Sequence, residues 1–234
     1  GKDHLTGGTG VYLNGSFNTV NLGLADYTRT IDKYENSGED APQEPYGAWV
    51  QGHGEIETRL GKMDAYEALK KCYGALGTHN ICCKAMSTIT PPGLPWEYLM
   101  SQRGEFCPMT DLLDDELTPD TWVKKIAKDL LDRAPAEKPW FMQVGFLGPH
   151  PPFINTEKMK NSTNGIEYPP AFNCSQMTPA RQQKQRQQYA GLIEHIDTMV
   201  GEVLDYVEER GELNNTIVVF TSDHGEMLGD FDIL

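Results

Sequence analysis

Asp223 and His224 carry the clearest chemistry in this sequence, because they follow an apolar run at residues 216–221. The β-branched and aromatic residues of that run predict a buried strand. In open α/β sheets, ligands bind just beyond the carboxyl ends of the strands. A carboxylate and an imidazole at such an end can bind a divalent cation, and Gly225 lets the backbone turn sharply toward it. In the simpler alternative, Asp223 caps the next turn and His224 lies on the surface.

His150 and Lys62 are two further candidates, since each lies at the end of a predicted strand. Pro149 and Pro151 stiffen the loop around His150, so its imidazole is aimed and could protonate a leaving group. Lys62, in a weakly alternating stretch at residues 55–64, could bind an oxyanion as a point charge. Each also has a simpler interpretation, a satisfied loop histidine and a solvated surface lysine.

Two helices with clear boundaries lie between these candidates. Thr118-Pro119-Asp120 supplies a cap, a proline at the first helical position and an acid, and predicts an amphipathic helix over 119–133. Thr178-Pro179 opens a second, long helix by the same signals, and Gly211 ends it. A strand over 140–147 lies between the two helices. This order of elements predicts an α/β fold, with a largely parallel sheet and helices on both of its faces.

The remaining segments give weaker signals. Residues 84–118 and 151–177 are predicted as loops, because they contain prolines and polar turn residues. The polar stretch Gln182–Gln188 is expected to be the solvated beginning of a helix. His195 is expected to pack between apolar helix positions or lie on the surface rather than to bind a ligand.

Composition restricts the partners and the setting. A net charge of −14 argues against nucleic acid, whose phosphates need lysine and arginine. No apolar run approaches the roughly 18 residues of a membrane span, so no membrane partner is expected. The 5 cysteines form no C-x-x-C pair, which argues against structural zinc. N-x-S/T sequons favour a glycoprotein in a secreted, lysosomal or periplasmic setting, and they begin at Asn14, Asn161, Asn173 and Asn214.

These motifs together resemble those of the sulfatase family in the alkaline-phosphatase superfamily. Residues 138–153 are similar to the family's strand and P-H-x-P-F loop, and residues 189–229 to its long helix and T-S-D-H-G-E-x-L-G signature. Residues 52–64 resemble the segment ending in G-K-x-H, and residues 5–12 resemble the L-T-G and T-G-V-Y segments. The resemblance implies an alkaline-phosphatase-like α/β fold that is incomplete here. Residues 1–234 would be part of one catalytic domain, with no second domain evident.

The same resemblance implies a sulfuric ester hydrolase acting on small-molecule or carbohydrate sulfate esters. Asp223 and His224 would hold a divalent metal, Ca²⁺ (or Mg²⁺), with His224 the weaker ligand or a support for one. Lys62 would bind the sulfate oxygens, and His150 would bind sulfate or protonate the leaving alcohol. The nucleophile would be a formylglycine made from the Cys or Ser of a C/S-x-P-x-R motif. That motif is absent here and is expected upstream of Gly1, so this chain alone is expected to be inactive.

Asp64 departs from the family pattern, in which most members have histidine at this position. An acid cannot act as the cationic partner that an imidazole can be. This departure motivates the second of two alternatives that stay open beside the sulfatase. One is a phosphodiesterase or phosphonate monoester hydrolase of the same superfamily, which also uses D-H-G. The other is a non-catalytic secreted glycoprotein with the same fold.

Overall fold

The computed structural model describes residues 2–3, 8–9, 11–14, 19–21, 45–69, 112–149, 153, 155–175 and 177–233. The strands in these ranges are β1 (Lys2–Asp3), β2 (Gly8–Thr9), β3 (Val11–Asn14), β4 (Thr19–Asn21), β5 (Glu55–Thr58), β6 (Gly61–Asp64) and β7 (Phe141–Val144). The α-helices are α1 (Pro45–Gln51), α2 (Ala65–Leu69), α3 (Pro119–Arg133), α4 (Glu157–Ser162) and α5 (Pro179–Glu209). Short 3-10 helices span Asp115–Leu117, Leu213–Asn215 and Asp230–Asp232.

Every strand pair within these ranges is antiparallel. β3 lies between β4 and β7, with Val11 opposite Val144 and Asn14 opposite Phe141. β5 and β6 form a hairpin, and β1 pairs with β2. Helices and strands are thus both present, whereas the predicted parallel sheet stays a prediction, since no parallel pair lies among the described residues.

The two long helices begin where the sequence predicts. α3 occupies the predicted range 119–133, and the Thr118 hydroxyl caps it by accepting a hydrogen bond from the Thr121 amide at 3.3 Å. α5 begins at Pro179, and just beyond its end Gly211 has a φ of 74°, which favours glycine. None of the helices in the described part of the chain is long and apolar enough to span a membrane.

The main core lies where α3 packs against α5, α1 and α2. The apolar face of α3 is buried, and Ala127 is fully inaccessible to solvent. The ring of Trp122 lies 5.2 Å from that of Trp49 on α1, measured between centroids. The Tyr46 hydroxyl of α1 donates to the Leu117 carbonyl at 2.7 Å. α3 and the residues just before it therefore hold α1 in this core.

Part of the predicted loop 151–177 is helical, since α4 lies within it. Thr156 caps α4 by accepting a hydrogen bond from the Met159 amide at 3.3 Å. Glu157 in the first turn adds a charge that favours a helix N-terminus. The loop prediction is wrong for residues 157–162, although both of these local signals are present in the sequence.

The apolar run 216–221 is not the buried strand that the sequence predicts. Ile217 is 93% exposed, and Val219 and Phe220 are exposed as well. No described strand pairs with this run. An apolar strand becomes buried only where neighbouring strands and helices cover it, and the described residues supply no such neighbours. The local sequence alone cannot provide that cover, so the prediction of burial is wrong for this structure.

Candidate active-site residues

Asp223 and His224 form a compact pair that solvent can reach. Asp223 Oδ1 accepts a hydrogen bond from the His224 amide at 3.0 Å, and His224 Nε2 lies 3.7 Å from Asp223 Oδ2. The two side chains are 59% and 60% exposed, respectively. The Ser222 hydroxyl donates to the His224 carbonyl and thereby supports the turn.

Hydrogen bonding selects the tautomer of His224. Its Nδ1 lies 2.9 Å from the Gly225 carbonyl oxygen, which can only accept. Nδ1 therefore carries a proton, and in the neutral ring Nε2 keeps its lone pair. Histidines that bind metals commonly donate their other ring N–H to a carbonyl or a carboxylate in this way.

The Asp223–His224 pair fits a divalent cation as two members of a larger ligand set. The 3.7 Å between His224 Nε2 and Asp223 Oδ2 is short enough for one cation to contact both atoms. Within the described ranges, however, no group of three or more His, Cys, Asp or Glu side chains is placed so that it could hold a metal ion. Because Ca²⁺ takes about six to eight oxygen ligands, the pair supplies only part of such a site.

Glu212 fixes the start of the segment that leads to Asp223. Arg210 at the end of α5 binds Glu212 at 2.9 Å, and this hydrogen bond lowers the pKa of the Glu212 carboxyl. The Trp140 indole donates to the same carboxylate at 3.1 Å. The Thr216 hydroxyl donates to the Glu212 carbonyl at 2.8 Å. The run that ends at Asp223 is therefore anchored to α5 and to the chain that enters β7.

Two aspartates fix the chain on the other side of the pair. Asp230 accepts hydrogen bonds from the Arg186 guanidinium at 2.9 Å and from the Phe172 amide at 2.8 Å. Asp232 accepts from both the amide and the hydroxyl of Ser175, each at 2.7 Å. The D-H-G segment is thus held at both of its ends, while the pair itself stays accessible.

The glutamines at the start of α5 hold the same loop and are not simply solvated. Gln182 is buried, accepts from the Ala171 amide at 2.8 Å and donates to the Met177 carbonyl at 3.0 Å. Gln183 accepts from the Tyr168 amide at 2.9 Å. The expectation of a solvated stretch is wrong because these amide side chains bond to the backbone of a loop that precedes the helix.

Lys62 lies on β6 and does not contact Asp223 or His224. Its Nζ lies 3.8 Å from Glu57 across the hairpin, and its side chain is 70% exposed. The single predicted strand over 55–64 is in fact this hairpin, because the chain reverses before Gly61, whose φ is 98°. The structure thus leaves the Lys62 ammonium accessible but does not bring it to the other candidates.

Asp64, which departs from the family pattern, caps α2. Its Oδ1 accepts hydrogen bonds from the Tyr66 amide at 2.9 Å and the Glu67 amide at 3.1 Å. The spacing Asp64-x-x-Glu67 is that of a capping box, so the sequence contained the signal for this role. The acid at this position therefore has a structural function that an imidazole would not serve equally well.

His150 lies outside the described residues, so its catalytic role stays a prediction. The chain just before it is described, and it is held by Asp120 of α3. Asp120 accepts hydrogen bonds from the Leu147 amide at 2.6 Å and from the Gly148 amide at 3.2 Å. Burial raises the pKa of the Asp120 carboxyl, and these amides oppose that rise.

A buried polar network around Asp115 escaped the sequence analysis. Lys158 lies 3.1 Å from Asp115 Oδ2, His195 Nδ1 lies 3.7 Å from the same oxygen, and the Thr156 hydroxyl donates to Oδ1. Burial alone would raise the pKa of Asp115, but the nearby His195 ring and the hydrogen bonds from Thr156 and Lys158 hold it well below its usual range. His195 Nε2 also bonds to Thr118 at 2.9 Å. Of the two alternatives expected for His195, packing or a surface position, the structure shows the first, because the residue is 5% exposed, although its ring nitrogens have polar partners.

Comparison with known proteins decides the family. The sulfatase family model matches residues 30–233. The chain belongs to the sulfatase family. Its fold is therefore of the alkaline-phosphatase-like α/β type. The matched range contains Lys62, His150, Asp223 and His224, whereas residues 5–12 lie outside it.

The chain is similar to several proteins over part of their length. It is 30% identical to an arylsulfatase of Clostridium perfringens in an alignment of 142 residues that covers 50% of the chain and 28% of that protein. It is 28% identical to iduronate 2-sulfatase of Homo sapiens in an alignment of 159 residues that covers 53% of the chain and 29% of the relative. A multifunctional alkaline phosphatase superfamily protein, PehA of Trinickia caryophylli, is 29% identical in an alignment of 130 residues that covers 42% of the chain and 25% of PehA. The chain thus spans at most 29% of the length of these curated relatives.

Proposed function

We propose that the whole protein hydrolyses sulfuric esters of small molecules or carbohydrates. The observation that carries the proposal is the family match over residues 30–233, which includes the Pro-His-Pro loop and the D-H-G segment. Relatives named arylsulfatase and iduronate 2-sulfatase support the same reaction. The family match also supports the predicted parallel sheet for the whole protein.

Asp223 and His224 hold a divalent cation, Ca²⁺ or Mg²⁺, in this proposal. Their accessible donor atoms 3.7 Å apart support binding of one cation by both side chains. When bound, such a cation would supply Lewis-acid polarisation of the sulfate oxygens. Because Ca²⁺ prefers oxygen ligands, Asp223 is the stronger ligand, and His224 binds more weakly or supports a ligand.

Lys62 and His150 act on opposite sides of the scissile bond. Cleavage of the S–O bond places charge on the equatorial sulfate oxygens and on the leaving alcohol oxygen. Lys62 neutralises the charge on the equatorial sulfate oxygens. Its exposed ion pair with Glu57 is weak enough for a sulfate to replace Glu57. His150 acts as a general acid and donates a proton to the leaving alcohol oxygen. The nucleophile is the formylglycine that the family resemblance implies, on a segment preceding Gly1.

Hydrolysis of phosphodiesters or phosphonate monoesters is the second candidate. The 29% identity to PehA, whose name describes a multifunctional member of the superfamily, supports this second candidate.

The non-catalytic alternative drew part of its support from Asp64. Since the Asp64 carboxylate caps α2, the acid at that position no longer favours a loss of chemistry.

Steady-state assays of the whole protein on matched aryl esters separate the candidates. The proposal predicts the highest kcat/KM for an aryl sulfate, compared with an aryl phosphonate monoester and an aryl phosphodiester. A higher value for either phosphorus ester would replace the proposal with the second candidate. No turnover of any of the three would favour the non-catalytic protein.

We also propose that the protein is a glycoprotein of a secreted, lysosomal or periplasmic setting. The sequon residues Asn161, Asn173 and Asn214 are exposed, which supports access to them. Mass spectrometry of peptides from protein isolated from its own source tests this. Glycans on these asparagines are expected, and unmodified peptides at all of them would contradict the proposal.

A further inference from the structure

Phe172 and Phe231 form an exposed pair of aromatic rings beyond the D-H-G segment. Their ring centroids lie 5.2 Å apart in an edge-to-face arrangement, although the two residues come from separate segments of the chain. Each residue is more than half exposed. Large aromatic side chains stabilise a protein most when they are buried, so an exposed pair indicates a surface that another group covers.

The backbone holds the pair in this exposed position. The Phe231 amide donates to the Phe172 carbonyl at 2.8 Å, and the Phe172 amide donates to Asp230 Oδ1 at 2.8 Å. Phe231 has a φ of 57°, in the left-handed region that residues other than glycine rarely adopt. A strained conformation persists only where the surrounding contacts enforce it, so the exposure of the pair is built into the fold.

Asn173 places a sequon directly on this surface. It is exposed, it follows Phe172 in the chain, and it begins an N-x-S sequon that ends at Ser175. Its φ of 50° is left-handed, a conformation that asparagine adopts more readily than most residues. The Ser175 amide and hydroxyl both donate to Asp232, the neighbour of Phe231. The sequon and the aromatic pair therefore belong to one fixed surface unit.

A glycan attached at Asn173 has the chemistry to cover these rings. A pyranose ring presents a face of C–H groups that packs against an aromatic ring, while its hydroxyls still face the solvent. The partly exposed carboxylate of Asp230 can accept a hydrogen bond from a sugar hydroxyl. Covalent attachment one residue from Phe172 keeps the innermost sugars at a high effective concentration near the rings. A free partner would instead lose its translational and rotational freedom to reach the same surface.

We propose that an N-glycan on Asn173 packs its innermost sugars against Phe172 and Phe231. The glycan shields the aromatic pair from water and stabilises the chain that follows Asp223 and His224. The inference rests on the proposed glycoprotein setting, because it needs a glycan on Asn173.

A double-mutant cycle on the glycosylated full-length protein tests this packing. Asn173→Gln removes the glycan and should lower the thermal midpoint of the wild type by about 2–4 °C, because the rings lose their cover. In a Phe231→Ala background the same substitution should lower the midpoint much less. The cost of placing glutamine in a left-handed conformation is common to both backgrounds and cancels in the comparison. Equal losses in both backgrounds would overturn the proposal.

Asn161→Gln is the matched control for the loss of a glycan. Asn161 is an exposed sequon residue on α4, and its substitution should change the midpoint equally in the wild-type and Phe231→Ala backgrounds. Coupling to Phe231→Ala as strong as that of Asn173→Gln would show a general effect of glycan loss and refute packing at Asn173. Phe231→Tyr keeps an aromatic ring and should retain the effect of the Asn173 glycan.

The NMR spectrum of the glycan measures the packing without any turnover. Ring currents should shift the signals of the innermost sugar on Asn173, and Phe231→Ala should remove that shift. Signals that are the same in the wild type and in Phe231→Ala would overturn the inference.

Mass spectrometry separates this inference from the proposed glycoprotein setting. Glycans on Asn161 or Asn214 with none on Asn173 would overturn the inference and leave the glycoprotein proposal standing. Unmodified peptides at all three asparagines would contradict both. A glycan on Asn173 that shows neither the thermal coupling nor the NMR shift would overturn the inference alone.

Discussion

Arg186 of α5 and Asp230 form an ion pair at 2.9 Å, seven residues beyond Asp223. The Arg186 side chain is only 18% exposed, so water screens the pair less than it would on the surface. Asp230 also accepts the Phe172 amide. A long helix and a distant loop thus both hold the chain directly after the D-H-G segment.

Arg186→Ala should loosen this segment. We expect a loss of about 1.5–3 kcal/mol of stability, the range for a hydrogen bond to a charged group, and weaker Ca²⁺ binding. Thermal denaturation and calorimetric titration with Ca²⁺ measure the two effects in the whole protein. Lys184→Ala, an exposed cation on the same helix, is the control and should change stability by less than about 0.5 kcal/mol. Equal stability and equal Ca²⁺ affinity of the Arg186→Ala and Lys184→Ala variants would contradict this account.

Gly191→Ala should destabilise the protein although alanine favours helices. An added β-carbon would lie 2.6 Å from Asn155 Nδ2 and 2.8 Å from the Met159 carbonyl oxygen, so α4 or Asn155 must move. Overpacking of this kind costs about 1–3 kcal/mol. Gly201→Ala on the same helix meets no atom within 4 Å and should stabilise by up to about 1 kcal/mol. Urea denaturation measures the stability of both variants. A Gly191→Ala variant more stable than Gly201→Ala would refute the close contact at Gly191.

Asp115→Asn should destabilise the protein more at neutral pH than in acid. The pKa of Asp115 lies below its ordinary value of 3.8, so the folded state binds fewer protons than the unfolded state. Its contribution to stability is therefore complete above about pH 4 and is lost as the pH falls below that value. Thermal midpoints near pH 6 and pH 3 test this.

The control for the pH experiment is Asp129→Asn, an acid paired with Lys125 on the partly exposed side of α3. The difference between wild type and Asp115→Asn should shrink in acid, while Asp129→Asn should have a small effect at both values. A difference for Asp115→Asn that stays constant or grows in acid would exclude the proposed network.

Asp64→Ala should cost about 1 kcal/mol of stability through loss of the α2 cap, and Asp64→Asn only a few tenths. Urea denaturation measures both. Equal stability of Asp64→Ala and wild type would show that capping is not the role of this acid. Loss of turnover in Asp64→Asn without loss of stability would place Asp64 in the active site instead.

The boundaries of α3 could be predicted because their causes are local. Thr118 accepts a hydrogen bond from an amide three residues away, and Pro119 suits the first turn. The D-H-G segment was found for a similar reason, since its residue types and order are themselves the signal. The role of Asp64 as a cap has an equally local cause, since the spacing Asp64-x-x-Glu67 is itself a capping signal.

The contacts of Gln182 and Asp120 could not be predicted, because their partners are distant in the sequence. Gln182 bonds to a backbone amide 11 residues earlier, and Asp120 to amides 27 and 28 residues later. No periodicity encodes such pairs. The exposure of residues 216–221 has the same origin, since burial of a strand depends on neighbours that the strand itself does not specify.

The most direct test of the central claim is sulfate release from an aryl sulfate by the whole protein carrying Asp223→Asn. The account predicts that kcat/KM falls about 100-fold or more, because several kcal/mol of charge stabilisation are lost with the cation. A chelator should abolish wild-type turnover, and added Ca²⁺ or Mg²⁺ should restore it. Asp197→Asn, which alters an exposed acid of α5, should retain wild-type activity. Wild-type turnover by Asp223→Asn would contradict the assignment of this residue to the metal.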